Sequence, residues 1–175
     1  CRRLARDLRQ NTEIDAIIPH DYVAVQCTYF AKSLDRNWLV PIHQDLSIPV
    51  AERVEHRELS GWSEKEGELF VQPPVSLLER MVAMRLHLDE CGVEDGALTV
   101  VPGSHALGRL STDAAIAARA ERGAVTCPVP QGGVFALRPL LPHASSRATG
   151  KSRRRVLHFL SGPPQLPCGL RWSIP

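Results

Sequence analysis

With 175 residues, 43% of them hydrophobic, the chain is long enough to enclose one core and too short for two ordinary domains, so 1–175 is expected to form a single domain with one functional site. Its 21 basic and 19 acidic side chains leave a net charge of +2, which gives no strong footprint for nucleic acid or for an anionic membrane surface, and neither is expected as a partner. Nothing approaches the roughly 20 consecutive apolar residues that span a bilayer, no charged-apolar-small series marks a signal peptide, and oligomeric state is not legible.

In chain order, residues 1–18 set Leu4, Leu8, Ile14, Ile17 and Ile18 among charges at helical spacing, and Pro19 ends the expected helix. The chain opens Cys1-Arg2-Arg3-Leu4 without Met inside that helix, which points to a truncated N-terminus. Beyond it, β-branched and aromatic runs predict strands over 22–30, 69–71, 81–88, 98–101, 124–127, 133–137 and 155–160. Turn-forming groups separate them: Pro73-Pro74, Glu94-Asp95-Gly96, Pro102-Gly103-Ser104, Pro130-Gln131-Gly132-Gly133 and Thr149-Gly150-Lys151-Ser152. Many short strands divided by turns predict a mainly β, antiparallel sandwich or barrel. Flanking helices are expected at 75–80 and 112–122, the second capped by Ser111 or Thr112. The five cysteines (Cys1, Cys27, Cys91, Cys127, Cys168) are scattered and never spaced Cys-x-x-Cys, which fits a reducing, cytoplasmic setting better than a disulfide framework or a zinc knuckle.

His43-Gln44-Asp45 follows the apolar run 38–42, and in an extended chain residues two apart project to the same face, where imidazole and carboxylate converge on one cation. Such pairs are common by chance, so a second histidine has to join them. His20 and His56 sit in polar loops. His143, in contrast, ends an apolar strand-like segment, 137–142, and Arg154 follows eleven residues later at the head of another strand. Two His and one carboxylate on one face of iron leave three positions open, enough for a bidentate 2-oxo acid and for dioxygen. A guanidinium deeper in the pocket would pair with the distal carboxylate of 2-oxoglutarate. Strand parity groups Arg154 with Val156 and His158, and Arg153 takes its place if a bulge intervenes.

In this order, His43-x-Asp45, His143 and Arg154 resemble the phytanoyl-CoA dioxygenase family of Fe(II)/2-oxoglutarate oxygenases. The likeness extends to Lys32, Asn37-Trp38-Leu39-Val40-Pro41-Ile42, Arg85-Leu86-His87-Leu88-Asp89, Val101-Pro102-Gly103-Ser104-His105, Arg155-Val156-Leu157-His158 and Gly169-Leu170-Arg171-Trp172. It implies a double-stranded β-helix, that is, a cupin-like jelly roll, with Fe(II) on His43, Asp45 and His143. Arg154 then anchors 2-oxoglutarate, and Gln44, Trp62, Ser145 and Lys32 line its pocket, with core packing for Trp62 and a solvated end for Lys32 as the alternatives. His87, Asp89 and His105 are assigned to fold and loop structure. The implied reaction is hydroxylation of a small organic substrate with O2, releasing succinate and CO2. Retention of Asp45 disfavours halogenation, because related halogenases carry a small residue there. The alternative is a non-catalytic or differently metallated cupin-like protein. The long segment 50–74, with Arg53, His56, Arg57 and Trp62, is expected as a loop overhanging the metal. Asp95-Gly96 stands where the family often has Asn-Gly, and either pair suits a tight turn.

Overall fold

The computed structural model describes residues 2–33, 35–150 and 153–173. The expectations attached to Cys1, and to Lys151 and Ser152 within the 149–152 turn, lie outside these residues. In place of one helix over 1–18 there are two, α1 (Arg2–Leu8) and α2 (Thr12–Asp15). Asn11 causes the break: its side-chain oxygen accepts from the N–H groups of Glu13 and Ile14 at 3.0 and 3.2 Å and so starts a second helix. Ala5, Ile14 and Ile18 pack with Val82, Met84, Leu86 and Phe159, which covers one face of the largest sheet.

The strands follow as β1 (Val23–Lys32), β2 (Val40–His43), β3 (Ile48–Val50), β4 (Ser60–Lys65) and β5 (Glu68–Gln72). After a short α3 (Val75–Leu78) come β6 (Val82–His87) and β7 (Leu98–Val100). Helix α4 (Thr112–Arg122) precedes β8 (Val125–Cys127), β9 (Val134–Leu137), β10 (His143–Ser145) and β11 (Arg154–Gly162). As the sequence suggested, Ser111 caps α4, its side chain accepting from the Ala114 N–H at 3.2 Å. Two four-stranded sheets run β1-β11-β6-β9 and β2-β10-β7-β8, and a third joins β3-β5-β4; every pairing is antiparallel. With β3, β4 and β5 set aside as an insertion, the remaining strands in chain order pair first with eighth, eighth with third and third with sixth. Second pairs with seventh, seventh with fourth and fourth with fifth, which is the jelly roll. Strand β6 is buried on both faces, one under α1 and α2 and one toward the interior, so it is apolar apart from Arg85 and His87.

Two expectations change. The segment 50–74 is not an open loop: Ile48 pairs with Val71 and Val50 with Leu69, while β4 and β5 form a hairpin closed between Lys65 and Glu68. Its two turn residues, Glu66 and Gly67, both take positive φ (53° and 79°), the primed geometry that matches strand twist. Likewise, 138–142 is not a strand leading into His143. Pro139 and Pro142 lack the N–H a ladder needs, Leu141 N–H bonds back to Arg138 O at 2.9 Å, and His143 opens β10. Gly103 takes φ 72°, so the Pro-Gly-Ser-His turn uses its glycine as expected. Asp89 also serves the fold: its carboxylate accepts from Arg155 N, Nε and a terminal nitrogen at 2.8–2.9 Å, which pins the start of β11 and turns Arg154 inward.

Candidate metal centre

Strands β2 and β10 bring His43 and His143 face to face as register partners, with ring centroids 4.3 Å apart. Asp45 lies just past β2, its N–H held by Pro139 O at 2.9 Å. Each imidazole Nδ1 sits 2.9 Å from the carbonyl oxygen two residues back, Pro41 for His43 and Leu141 for His143. A carbonyl only accepts, so both Nδ1 atoms carry a proton and Nε2 is the atom each ring turns toward a ligand; on His43 a metal ion would displace the proton that Nε2 shares with Asp45. Those Nε2 atoms stand 3.6 Å and 3.8 Å from the two Asp45 carboxylate oxygens, and the ligand atoms of the trio lie within 4.8 Å of one another. Cis ligands about 2.1 Å from one ion stand about 3 Å apart, so small side-chain adjustments close the set.

Electrostatics favour a cation here. Burial pushes the Asp45 carboxyl up, but its hydrogen bond to His43 and the charges of His143 and His158 hold it well below the usual carboxylate range. His43 is raised, chiefly by its bond to Asp45, whereas burial lowers His143. An ionised carboxylate between two imidazoles that turn Nε2 toward it is a nitrogen-and-oxygen donor set that fits a divalent iron-type ion with open positions. His43, Asp45 and His143 border a cavity of about 540 Å³ lined by both four-stranded sheets and by Lys65, Phe70 and Gln72 of the β4–β5 hairpin.

Beyond the trio, Arg154 and Lys32 are register partners across β11 and β1, and both are buried, at 3% and 1% exposure. Ser145 Oγ accepts from Lys32 Nζ at 2.9 Å and from an Arg154 terminal nitrogen at 3.2 Å, while donating to Gly96 O at 2.8 Å. Arg154 donates to Gly96 O as well, and Lys32 to Ser146 O at 2.7 Å. Burial first, and then the Arg154 charge, pull Lys32 down to about 8. Arg153 is exposed, as strand parity requires once Arg154 points inward.

Gln44 borders the cavity, but its amide is fully engaged with the backbone: Nε2 donates to Gly108 O and Leu140 O at 2.8 and 2.6 Å, and Oε1 accepts from Leu110 N–H at 2.8 Å. Trp62 is not among the cavity-lining residues; it packs on the hydrophobic core under the Arg53 guanidinium, 5.2 Å from the ring centre. Arg53, His56 and Arg57 do not border the cavity either. Two residues not foreseen as part of the site do border it. Arg85 approaches His158 Nδ1 at 3.3 Å, and because a guanidinium only donates, that Nδ1 accepts. His158 then carries its proton on Nε2, 3.9 Å from Asp45. The available signal was a lone arginine at an inward position of a strand apolar but for His87.

Residues 2–156 match the family model for phytanoyl-CoA dioxygenase (PhyH). The chain belongs to the phytanoyl-CoA dioxygenase family. Solved structures share the fold. AviO1 from Streptomyces viridochromogenes Tue57 is 26% identical, with 83% of this chain and 53% of that chain covered and a TM-score of 0.57. HygX from Streptomyces hygroscopicus, solved with nickel and 2-oxoglutarate bound, is 19% identical over 92% of this chain and 64% of its own, with a TM-score of 0.58. EctD from S. alaskensis is 16% identical over 86% and 50%, with a TM-score of 0.60. The chain thus spans about half to two-thirds of the length of these structures. No curated protein matches it. Among the described residues, no helix is long and apolar enough to cross a membrane.

Proposed function

We propose that this chain, acting as one domain, is an Fe(II)- and 2-oxoglutarate-dependent dioxygenase that hydroxylates a small organic substrate. The observation that carries the reading is the arrangement of one cavity: two imidazole Nε2 atoms and an ionised carboxylate converge at one place on its wall. Buried Arg154 and Ser145 line another, with Lys32, which does not itself border the cavity, held behind them by its bond to Ser145 Oγ. His43, Asp45 and His143 hold Fe(II); Arg154 and Lys32, joined through Ser145, pair with the 5-carboxylate of 2-oxoglutarate and set its orientation. Gln44 supports that wall through its backbone bonds rather than by touching the co-substrate. Bound iron and 2-oxoglutarate supply the oxidising chemistry: with O2, a C–H bond becomes C–OH while 2-oxoglutarate becomes succinate and CO2.

The chain's own groups prepare that chemistry. The Nδ1–H bonds to Pro41 O and Leu141 O fix both ring orientations and direct Nε2 inward. Phe30, Trp38, Phe70 and Leu160 line the cavity with apolar surface that limits water near the metal. Succinate release in the presence of candidate amino acids, acyl thioesters and small natural products tests the reading. His143→Ala should abolish both release and stoichiometric Fe(II) binding, and unchanged release in that variant would sink the assignment. Anaerobic addition of Fe(II) and 2-oxoglutarate should produce a weak visible charge-transfer band; its absence favours a differently metallated cupin-like protein.

A further inference from the structure

Besides Arg154, the cavity is lined by a second buried cation that the proposed roles leave unused. Arg85 is 7% exposed and lines the cavity. One terminal nitrogen donates to His158 Nδ1 at 3.3 Å, the guanidinium lies 5.3 Å from the Phe30 ring centre, and Nε is buried without a hydrogen-bond partner. Leaving a buried polar donor unsatisfied costs on the order of 1–3 kcal/mol, more when it is charged. Asp45 is the single carboxylate among the described cavity-lining residues, and both its oxygens are directed at histidines. Asp45 favours the Arg85 charge from a distance, but among the described residues no carboxylate pairs with the guanidinium directly.

Its position says which one. Arg85 pairs in register with His158, and Arg154 with Lys32. His158 lies four residues beyond Arg154 on β11, about 13 Å of strand, and its Nε2 faces Asp45. Arg85 therefore stands at the triad end and Arg154 at the other. A divalent ion on the triad sets a second positive centre near Arg85, and an anionic oxygen between the two relieves both desolvation and repulsion. A 2-oxo acid held by Arg154 at its 5-carboxylate presents its 1-carboxylate there.

Building on the function proposed above, we infer that Arg85 is a second co-substrate-binding residue, pairing with the 1-carboxylate of the 2-oxo acid beside the metal. The co-substrate is then gripped at both ends by separate guanidiniums, Arg85 at the head and Arg154 at the tail.

Pyruvate separates the two grips, because it keeps the 1-carboxylate and 2-oxo group and lacks the distal carboxylate. Calorimetric titration of the Ni(II)-loaded chain with 2-oxoglutarate and with pyruvate needs no turnover. Arg85→Gln should weaken both ligands by about tenfold or more, whereas Arg154→Gln should weaken 2-oxoglutarate and spare pyruvate. Pyruvate binding unchanged in Arg85→Gln, with 2-oxoglutarate still weakened by Arg154→Gln, overturns the role of Arg85 alone. A wild-type chain that binds neither ligand overturns the proposed function and this inference with it. Should Arg85→Gln fail to fold, Arg85→Lys keeps the charge but loses the two-pronged donor; it should weaken pyruvate several-fold, and unchanged binding there overturns the inference.

Discussion

Gly96→Ala tests the anchor end of the cavity through its backbone. Gly96 has φ +71°, and a Cβ built on it would meet Ser146 O at 2.5 Å, Lys32 Nζ at 3.4 Å and Ser145 Oγ at 3.5 Å. Left-handed backbone costs a residue with a Cβ roughly 1–2 kcal/mol, partly offset by about 0.4–1 kcal/mol of entropy lost from the unfolded chain. Gly67 gives the baseline: it has φ +79°, and a Cβ there would meet nothing within 4 Å, so Gly67→Ala should cost about 1 kcal/mol. At Gly96 the clash comes on top. The Ser146 carbonyl cannot swing aside without releasing Lys32 Nζ, so overpacking adds about 1–3 kcal/mol, for a total of roughly 2–4 kcal/mol. The same shift moves Gly96 O, the shared acceptor of Ser145 and Arg154, and should raise the Kd for 2-oxoglutarate about tenfold. Urea unfolding of both alanine variants and calorimetry with 2-oxoglutarate measure the two effects. If Gly96→Ala lies within about 0.5 kcal/mol of Gly67→Ala and binds 2-oxoglutarate like wild type, the reasoning is refuted.

Two titrations follow from the buried cations and imidazoles. Lys32, lowered to about 8 before ligand binds, loses its charge as pH rises through that value. Affinity for 2-oxoglutarate should therefore fall, by at most about tenfold per pH unit, and Lys32→Met should flatten the profile; an identical profile in the variant removes Lys32 from the anchor. Burial is the main cause holding His87 and His158 near 4 in the folded chain against 6.5 unfolded. Between those values the unfolded state binds more protons, so metal-free stability should fall as pH drops from 6.5 towards 4, by roughly 3 kcal/mol at most for the well-buried His158. Chemical denaturation across that window checks this, and stability independent of pH would contradict it.

The local patterns of the chain announced the elements and the chemistry. β-Branched and aromatic runs marked β1, β5, β6, β7, β8, β9 and β11, because such side chains pack well on a pleated surface. Strand parity alone turned Arg154 rather than Arg153 inward, and the two-residue spacing of His43 and Asp45 set them on one face. The strands that escaped notice carry prolines or small and polar residues, as VPIH in β2, IPV in β3, SGWSEK in β4 and HAS in β10 do, and β2, β3 and β10 find their partners outside any short window. For that reason 50–74 read as a loop although its register with β3 makes it a sheet, and Trp62 ended on the core while Phe70 and Gln72 reached the cavity. Tertiary structure also decided which polar groups spend their bonds on the backbone, as Gln44 does, and which retain unused donors, as Arg85 does. A residue's type and spacing state what it can bind; its neighbours across the sheets determine what is left for it to bind, and those neighbours are chosen by long-range strand pairing that no local window contains.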